Sequence, residues 1–544
     1  MILFRQAALL ARTVLPLTAL LGFSCLATVR ADPPAVEYLY PAGFARGATT
    51  ENVVVGGATD PWPVTAWVDH DGIQVSAEKE KGRLRIVVGE DVPPGVYFLR
   101  LSNDQGVSPP RPFLVGAGGE FKETEPNNGG AEANVLEGPQ TVNGKLESSS
   151  DVDQFRVTAV EGQVLVASLL GNNVLASPMD AVLQVCDSKG FVLAQNDDEQ
   201  GLDPQVAFPV PRTGEYLVRL FAFPETPNST IGFSSAATYV YRLTITSEEF
   251  VDHVMPLAVT RTAPTRLVAQ GWNLPADGSL GMDVEPGSDR QLLQPGILFP
   301  GNLGLLTVVD CESLVVDSDE PRPIQMPVVI TGRVARPRSA NTFILQGKKG
   351  TPVVARIESR ALGFPMDPLL QVLDMEGKLL SEVDDVSKNR DPVMTFSPPA
   401  DGPYQLVVRD LHRGGGFRFA YRLSVSEPEA DFSLGLAADR LLMKSGEDLE
   451  VEVTIERIQG FKDEVELTVE GLPDGISCPA VVSAGEGDSA KKVKLKFSGS
   501  SPPFSGPLKI VGKAAERVRT ASYAIPKMTI RRDDPWLSVV EAGK

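Results

Sequence analysis

The sequence predicts an all-β fold, an elongated multidomain chain of β-sandwiches. Three observations predict it. Short runs rich in Val, Leu and Tyr, such as "QVLVASLL", "AVLQVCD", "EYLVRLF" and "YVYRLTIT", are separated by Gly, Pro, Asp and Asn. Amphipathic helical periods of useful length are absent. A long segment occurs twice, each time as the same series of short strands. The 50 glycines and 44 prolines are spread along the chain, which fits many turns between strands better than one disordered block. At 544 residues the chain has room for about three to five domains. The net charge of −19 repels phosphate backbones, so nucleic acid is not an expected partner.

The elements follow in order. Residues 1–31 read as a signal peptide. Arg5 and Arg12 carry the positive charge, Thr13 to Leu26 is a short apolar run, and "VRA" at 29–31 places the cut after Ala31. A lipoprotein cut before Cys25 competes, though "GFS" is a poor signal for it. No other apolar stretch reaches about 20 residues, so no transmembrane helix is expected in the mature chain. Export to an extracellular, periplasmic or cell-surface location is the expectation.

The repeat sets the middle of the chain. "SPMDAVLQVCDSKGFVLAQNDD" (177–198) aligns with "FPMDPLLQVLDMEGKLLSEVDD" (364–385). Asp203-Pro204 then pairs with Asp391-Pro392, Tyr216 with Tyr404, and "YRLTIT" (241–246) with "YRLSVS" (421–426). Upstream, Phe155 pairs with Phe343 and Gly162 with Gly350. Cys186 faces Leu373 in this alignment, so a small apolar slot with a buried free thiol is expected there. Three cysteines beyond residue 31, widely spaced, argue against a disulfide framework.

"EPNN", "DVDQF", "PMD…LQV…D", "NDD" and "GEYLVRL" together resemble the bacterial pre-peptidase C-terminal (PPC) domain. The resemblance implies jelly-roll-like sandwiches at 118–247 and 318–427, of a kind appended to secreted proteases and similar to collagen-binding domains of bacterial collagenases. Residues 32–117, with "YPAGFARGATTENVVVGG" and "VPPGVYFLRLSNDQGVS", resemble an IPT/TIG-type Ig-like domain. Within "VPPGVYFLRL", Val96, Phe98 and Arg100 alternate with Tyr97, Leu99 and Leu101, as in a strand with two distinct faces. Residues 248–317 read as a degenerate copy of that domain. Residues 428–530, with "LEVEVTIER" and "GLPDGI", resemble a further Ig-like unit, followed by a tail at 531–544. The basic pair "RR" at 531–532 reads as a solvated strand end or an envelope anchor. Trp62 and Trp67 read as core residues or as a sugar-stacking pair.

The stretch "ETEPNN" offers oxygen ligands from Glu123, Glu125, Asn127 and Asn128, and "DVDQF" adds Asp151 and Asp153. Residues two apart in an extended segment point the same way, so these six side chains could converge on a calcium ion. A solvated acidic linker fits the same residues. The PPC resemblance implies the calcium site, since collagen-binding relatives tie an acidic linker to the sandwich through the same pattern. It places Glu123, Glu125, Asn127, Asp151 and Asp153 as ligands, with Asn128 where relatives often carry Asp. In the second copy Ser339 and Asn341 stand at the positions of Asp151 and Asp153, so a site is expected in the first copy alone.

Catalytic signatures are missing. The three histidines, His70, His253 and His412, fall in separate units, with no zinc spacing, nucleophile elbow or phosphate loop. The expectation is a protein that is not an enzyme but a binding, adhesion or scaffold protein, recognising extracellular protein or polysaccharide. The alternative is an accessory or targeting subunit of a secreted protease or other hydrolase.

Overall fold

The computed structural model describes residues 32–148, 150–226, 232–275, 281–284, 307–385, 390–528 and 531–541. The signal-peptide reading lies outside them, and so does Asn228-Ser229-Thr230, whose spacing is that of an N-glycosylation sequon. Among the described residues the chain is β throughout, apart from three single-turn helices.

The alternation read in the sequence becomes burial. In Asp153–Ala159 the side chains of Phe155, Val157 and Ala159 turn inward, and in Gly214–Pro224 those of Tyr216, Val218, Leu220 and Ala222 do so. Two five-stranded sheets enclose this core. One runs Gly119–Lys122, Gln140–Lys145, Val240–Thr246, Val164–Leu170, Gln205–Pro209; the other runs Asn134–Val135, Asp153–Ala159, Gly214–Pro224, Met179–Asp187, Val192–Asn196. The second copy repeats both strand orders. Glu312–Val316 leads one sheet and Arg322–Pro323 the other, and Phe343 is buried where Phe155 is in the first. Each sheet opens on a parallel edge pair, Gly119↔Gln140 and Asn134↔Phe155 in the first sandwich, Glu312↔Val328 and Arg322↔Phe343 in the second, and is otherwise antiparallel.

A buried aspartate is common to both copies. Asp203 accepts from the backbone N–H groups of Gly171, Asn172 and Asn173, and Asp391 from those of Ser359, Arg360 and Ala361. Each carboxylate satisfies three donors at the start of a short helical turn. We expect Asp391→Ala to cost roughly 3 kcal/mol in urea unfolding, because three N–H groups lose their acceptor in a buried place.

Ahead of the first sandwich, a four-stranded and a five-stranded sheet pack over Phe44, Leu84, Leu99 and Phe113. Strands Gly43–Ala45 and Arg111–Gly116 pair in parallel, and that pair abuts the sandwich. Ahead of the second sandwich, Ala258–Thr260 and Thr307–Val309 pair in parallel in the same way. The last unit packs Phe432, Val453, Leu495 and Leu537 into one core. On its surface Glu450 and Glu452 face Lys494 and Lys492 across neighbouring strands.

The row of sandwiches turns back so that its first and last units meet. In Gly95–Asn103, Tyr97, Leu99 and Leu101 face their own core, while Phe98 enters the core of the last unit. Arg100 is 1% exposed, donating to Asp439 Oδ2 at 2.8 Å and to the Tyr523 hydroxyl at 2.9 Å. Trp67 meets Trp536 edge to face at 5.0 Å, and Trp62 donates to the Glu78 carbonyl, so both indoles are taken up in packing. Arg532 is held between Asp69 and Asp534. This corrects the reading of that basic pair as a solvated end or an anchor: half of it is an interunit tie.

Candidate metal centre

The stretch after Gly119–Lys122 stays extended, and the Glu123 N–H donates to the Asn143 carbonyl at 3.2 Å. Glu123 therefore lies over Gly144. Only glycine fits there, since a Cβ would overlap the Tyr241 ring and a Glu123 oxygen. Asn134 bonds both the N–H and the carbonyl of Thr124 at 2.8 Å, and the Asn127 carbonyl accepts from Gln154 N at 3.2 Å. These bonds hold the acidic stretch against the start of strand Asp153–Ala159. Asp153 is that strand's first residue and points inward, with no exposed surface.

The structure brings together Glu123, Glu125 and Asp153, with one carboxylate oxygen of each within 4.8 Å of the others. Glu123 and Asp153 are buried and Glu125 is exposed. Asp153 Oδ1 and Asp151 Oδ1 are buried without a hydrogen-bond partner, and so are both polar atoms of the Asn127 side chain. The other Asp151 oxygen accepts from Glu147 N and Ser148 N, closing the turn before the strand. Asn128 is placed differently: its Oδ1 accepts from Val152 N at 3.0 Å and serves the loop.

Sequence reasoning missed two hydroxyls. Tyr241 donates to Asp153 Oδ2 and lies 2.9 Å from Glu123 Oε2. Tyr40, from the unit in front, donates to Glu123 Oε1 at 3.2 Å. Tyr241 was within reach of the sequence through the repeated "YRL" motif, whereas Tyr40 carries no local signal.

Burial pushes the Glu123 carboxyl up to about 7, and the hydrogen bond from Tyr241 only partly offsets it. Burial, then the charge of Glu123, holds Asp153 well above the usual carboxylate range. Burial and the charge of Asp151 raise Glu125 too. In the metal-free chain the cluster therefore keeps protons at pH values where free carboxyls are ionised, because its protein partners do not compensate the buried charge. Hard oxygen donors with unpartnered lone pairs fit a hard cation, and the three carboxylates are placed to hold one.

The second copy has the same backbone and neutral chemistry. Val316, paired with Gly332, stands where Glu123 stands over Gly144, and Asn341 replaces Asp153. The Tyr421 hydroxyl donates to Asn341 Oδ1 at 2.9 Å, and Asn341 Nδ2 donates to the Ser318 carbonyl.

No protein-family model matches the chain. A probable subtilase-type serine protease of Deinococcus radiodurans is 27% identical over 207 residues, covering 34% of this chain and 28% of that protein. The chain thus spans less than a third of that relative's length. Among solved structures, the pre-peptidase C-terminal domain of Bacillus anthracis collagenase is 12% identical over 23% of this chain and 98% of its own, with a TM-score of 0.17. The periplasmic g-type lysozyme inhibitor PliG of Aeromonas hydrophila is 12% identical over 23% and 97%, with a TM-score of 0.16. The fibronectin(III)-like modules of Clostridium thermocellum CbhA are 10% identical over 36% and 87%, with a TM-score of 0.13. Scores this low leave the fold to be read from the chain's own sheets, which make a multidomain β-sandwich protein.

Proposed function

We propose that the protein is an exported, non-catalytic binding scaffold whose first joint is fixed by calcium. The observation that carries the reading is the buried cluster of Glu123, Glu125 and Asp153, with its unpartnered oxygens, at the contact between the first unit and the first PPC-like sandwich. Joints between small domains move by default. A cation at Glu123, Glu125 and Asp153, with Asn127 and Asp151 beside them, offsets the buried charge and stiffens the contact made through Tyr40. The ligand surface belongs to an extracellular protein or polysaccharide.

Calorimetric titration of Ca²⁺ into the chelator-treated protein tests the site. One saturable event at roughly 10⁻⁴–10⁻³ M or tighter is expected, and Glu125→Ala and Asp153→Ala should each abolish it. No heat, together with no chelator effect on thermal unfolding, reduces the stretch to an acidic hinge.

The partial likeness to a probable subtilase-type protease favours a second reading, an accessory or targeting subunit of a secreted hydrolase. A pull-down from culture medium that recovers a protease and no matrix component supports that reading over the first.

A further inference from the structure

The motif "YRL" places an arginine at the same point of both sandwiches. Arg242 lies opposite Asn143 and Leu170, and Arg422 lies opposite Thr331 and Glu358. Both side chains are almost fully buried, and both reach the parallel strand pair of the unit in front. Arg242 packs on Gly43 and Gly116, where an added Cβ would overlap the guanidinium or come within 2.8 Å of it. Arg422 Nη1 donates to the Leu257 carbonyl at 3.3 Å and to the Thr307 hydroxyl. Gly43 heads one strand pair; Leu257 directly precedes the other, which Thr307 begins.

The compensating carboxylate has changed places between the copies. At the first joint it is Glu120, on the parallel edge strand, while Leu170 stands opposite the arginine. At the second joint Ser313 occupies the Glu120 position, and the carboxylate is Glu358, in the place of Leu170, accepting from Arg422 Nε and Nη2 at 2.9 and 2.7 Å. A buried guanidinium needs one carboxylate and gains nothing from a particular side of approach. Retention of the arginine together with exchange of its partner points to a role for the arginine itself.

We propose that Arg242 and Arg422 are docking residues that fix each sandwich to the strand pair before it, so that the chain is two copies of one rigid two-unit module. Calcium then acts on a joint that is already docked, adding a second tie at Tyr40 in the first module alone.

The exchange can be repeated by substitution at the second joint, where Val316 and Asn341 replace Glu123 and Asp153 and no acidic cluster lies among the described residues, so the result is read apart from the proposed calcium site. Hydrogen exchange of the full chain reads it. The Leu257 amide, which donates to Thr331 Oγ1 across the joint at 2.8 Å, reports docking, and residues 343–347 report the sandwich core. Glu358→Leu should speed exchange at Leu257 at least tenfold and leave 343–347 unchanged. Adding Ser313→Glu, the arrangement of the first joint, should restore protection. Unchanged exchange at Leu257 in Glu358→Leu, or no restoration by Ser313→Glu, overturns the proposal. Should Glu358→Leu unprotect the core as well, Glu358→Gln decides: loss at Leu257 alone supports docking, and no loss there overturns it.

Discussion

Arg418→Met should lower the stability of the chain by about 3–5 kcal/mol, read as a shift in the urea midpoint. Arg418 sits where three units meet. Its Nε donates to Asp252 Oδ2 at 3.0 Å, its Nη1 to the carbonyl and carboxylate of Glu199, and its Nη2 to the Gly363 carbonyl. Asp252 is 1% exposed at its side chain and is also held by His253 Nδ1 at 2.7 Å and by Gln205 Nε2 at 2.8 Å. Burial alone would raise its pKa; the His253 hydrogen bond and the Arg418 charge outweigh it and hold the group below the usual range. Removing the arginine strands that carboxylate, and the loss is chiefly the cost of an unpaired buried charge. Arg418→Met with Asp252→Asn should therefore recover a large part of it. Glu199→Gln should cost under about 1 kcal/mol, because that carboxylate is 31% exposed and water replaces the partner. The sign with pH follows. Asp252 titrates lower in the folded chain, so its contribution is present above its unfolded pKa and is lost as pH falls through the folded one. A shift below 1 kcal/mol for Arg418→Met would show that the Arg418–Asp252 pair adds little to the hold between the three units.

The strands of both sandwiches were legible because the pleat imposes a period of two on any half-buried strand, and Phe155, Tyr216 and their counterparts keep that period. The repeat was legible because both copies bury the same core. The polar groups serving long-range contacts were not. Arg100 alternates in "VYFLRL" as an outward residue should, and nothing local says that its outer face meets the last unit more than 300 residues later. Asp252 and Arg418 likewise lie in different units. At the candidate metal centre the acidic pattern named the carboxylates that gather, because spacing by two puts side chains on one face. It placed Asn128 among them, while the backbone N–H of Val152 takes its oxygen. Tyr40 was out of reach because its role comes from docking.

The candidate metal centre can be rewritten with the residues of the second copy. Glu123→Val with Asp153→Asn should make the metal-free protein more stable at pH 8 and remove its response to Ca²⁺. In the folded chain Glu123 holds its proton up to about 7, against about 4.5 when unfolded, so the folded state binds more protons between those values. Stability of the metal-free chain therefore falls as pH rises from 4.5 through 7, by roughly 3 kcal/mol from this group at most. Asp153 is shifted in the same direction and adds to the fall. The double variant abolishes it: Val316 and Asn341 show that this backbone accepts an apolar residue and an amide, with Tyr421 donating to the amide oxygen as Tyr241 donates to Asp153. Thermal unfolding of both proteins in chelator, from pH 4.5 to 8, should show a falling midpoint for the parent and a flatter profile for the variant. Protons and a cation compete for the same oxygens, so added Ca²⁺ should raise the parent's midpoint strongly at pH 8 and little at pH 5. A parent whose midpoint is flat with pH and indifferent to Ca²⁺ would mean that the cluster is neutralised by its own hydroxyls and amides. The charge difference between the two copies would then have no bearing on cation binding.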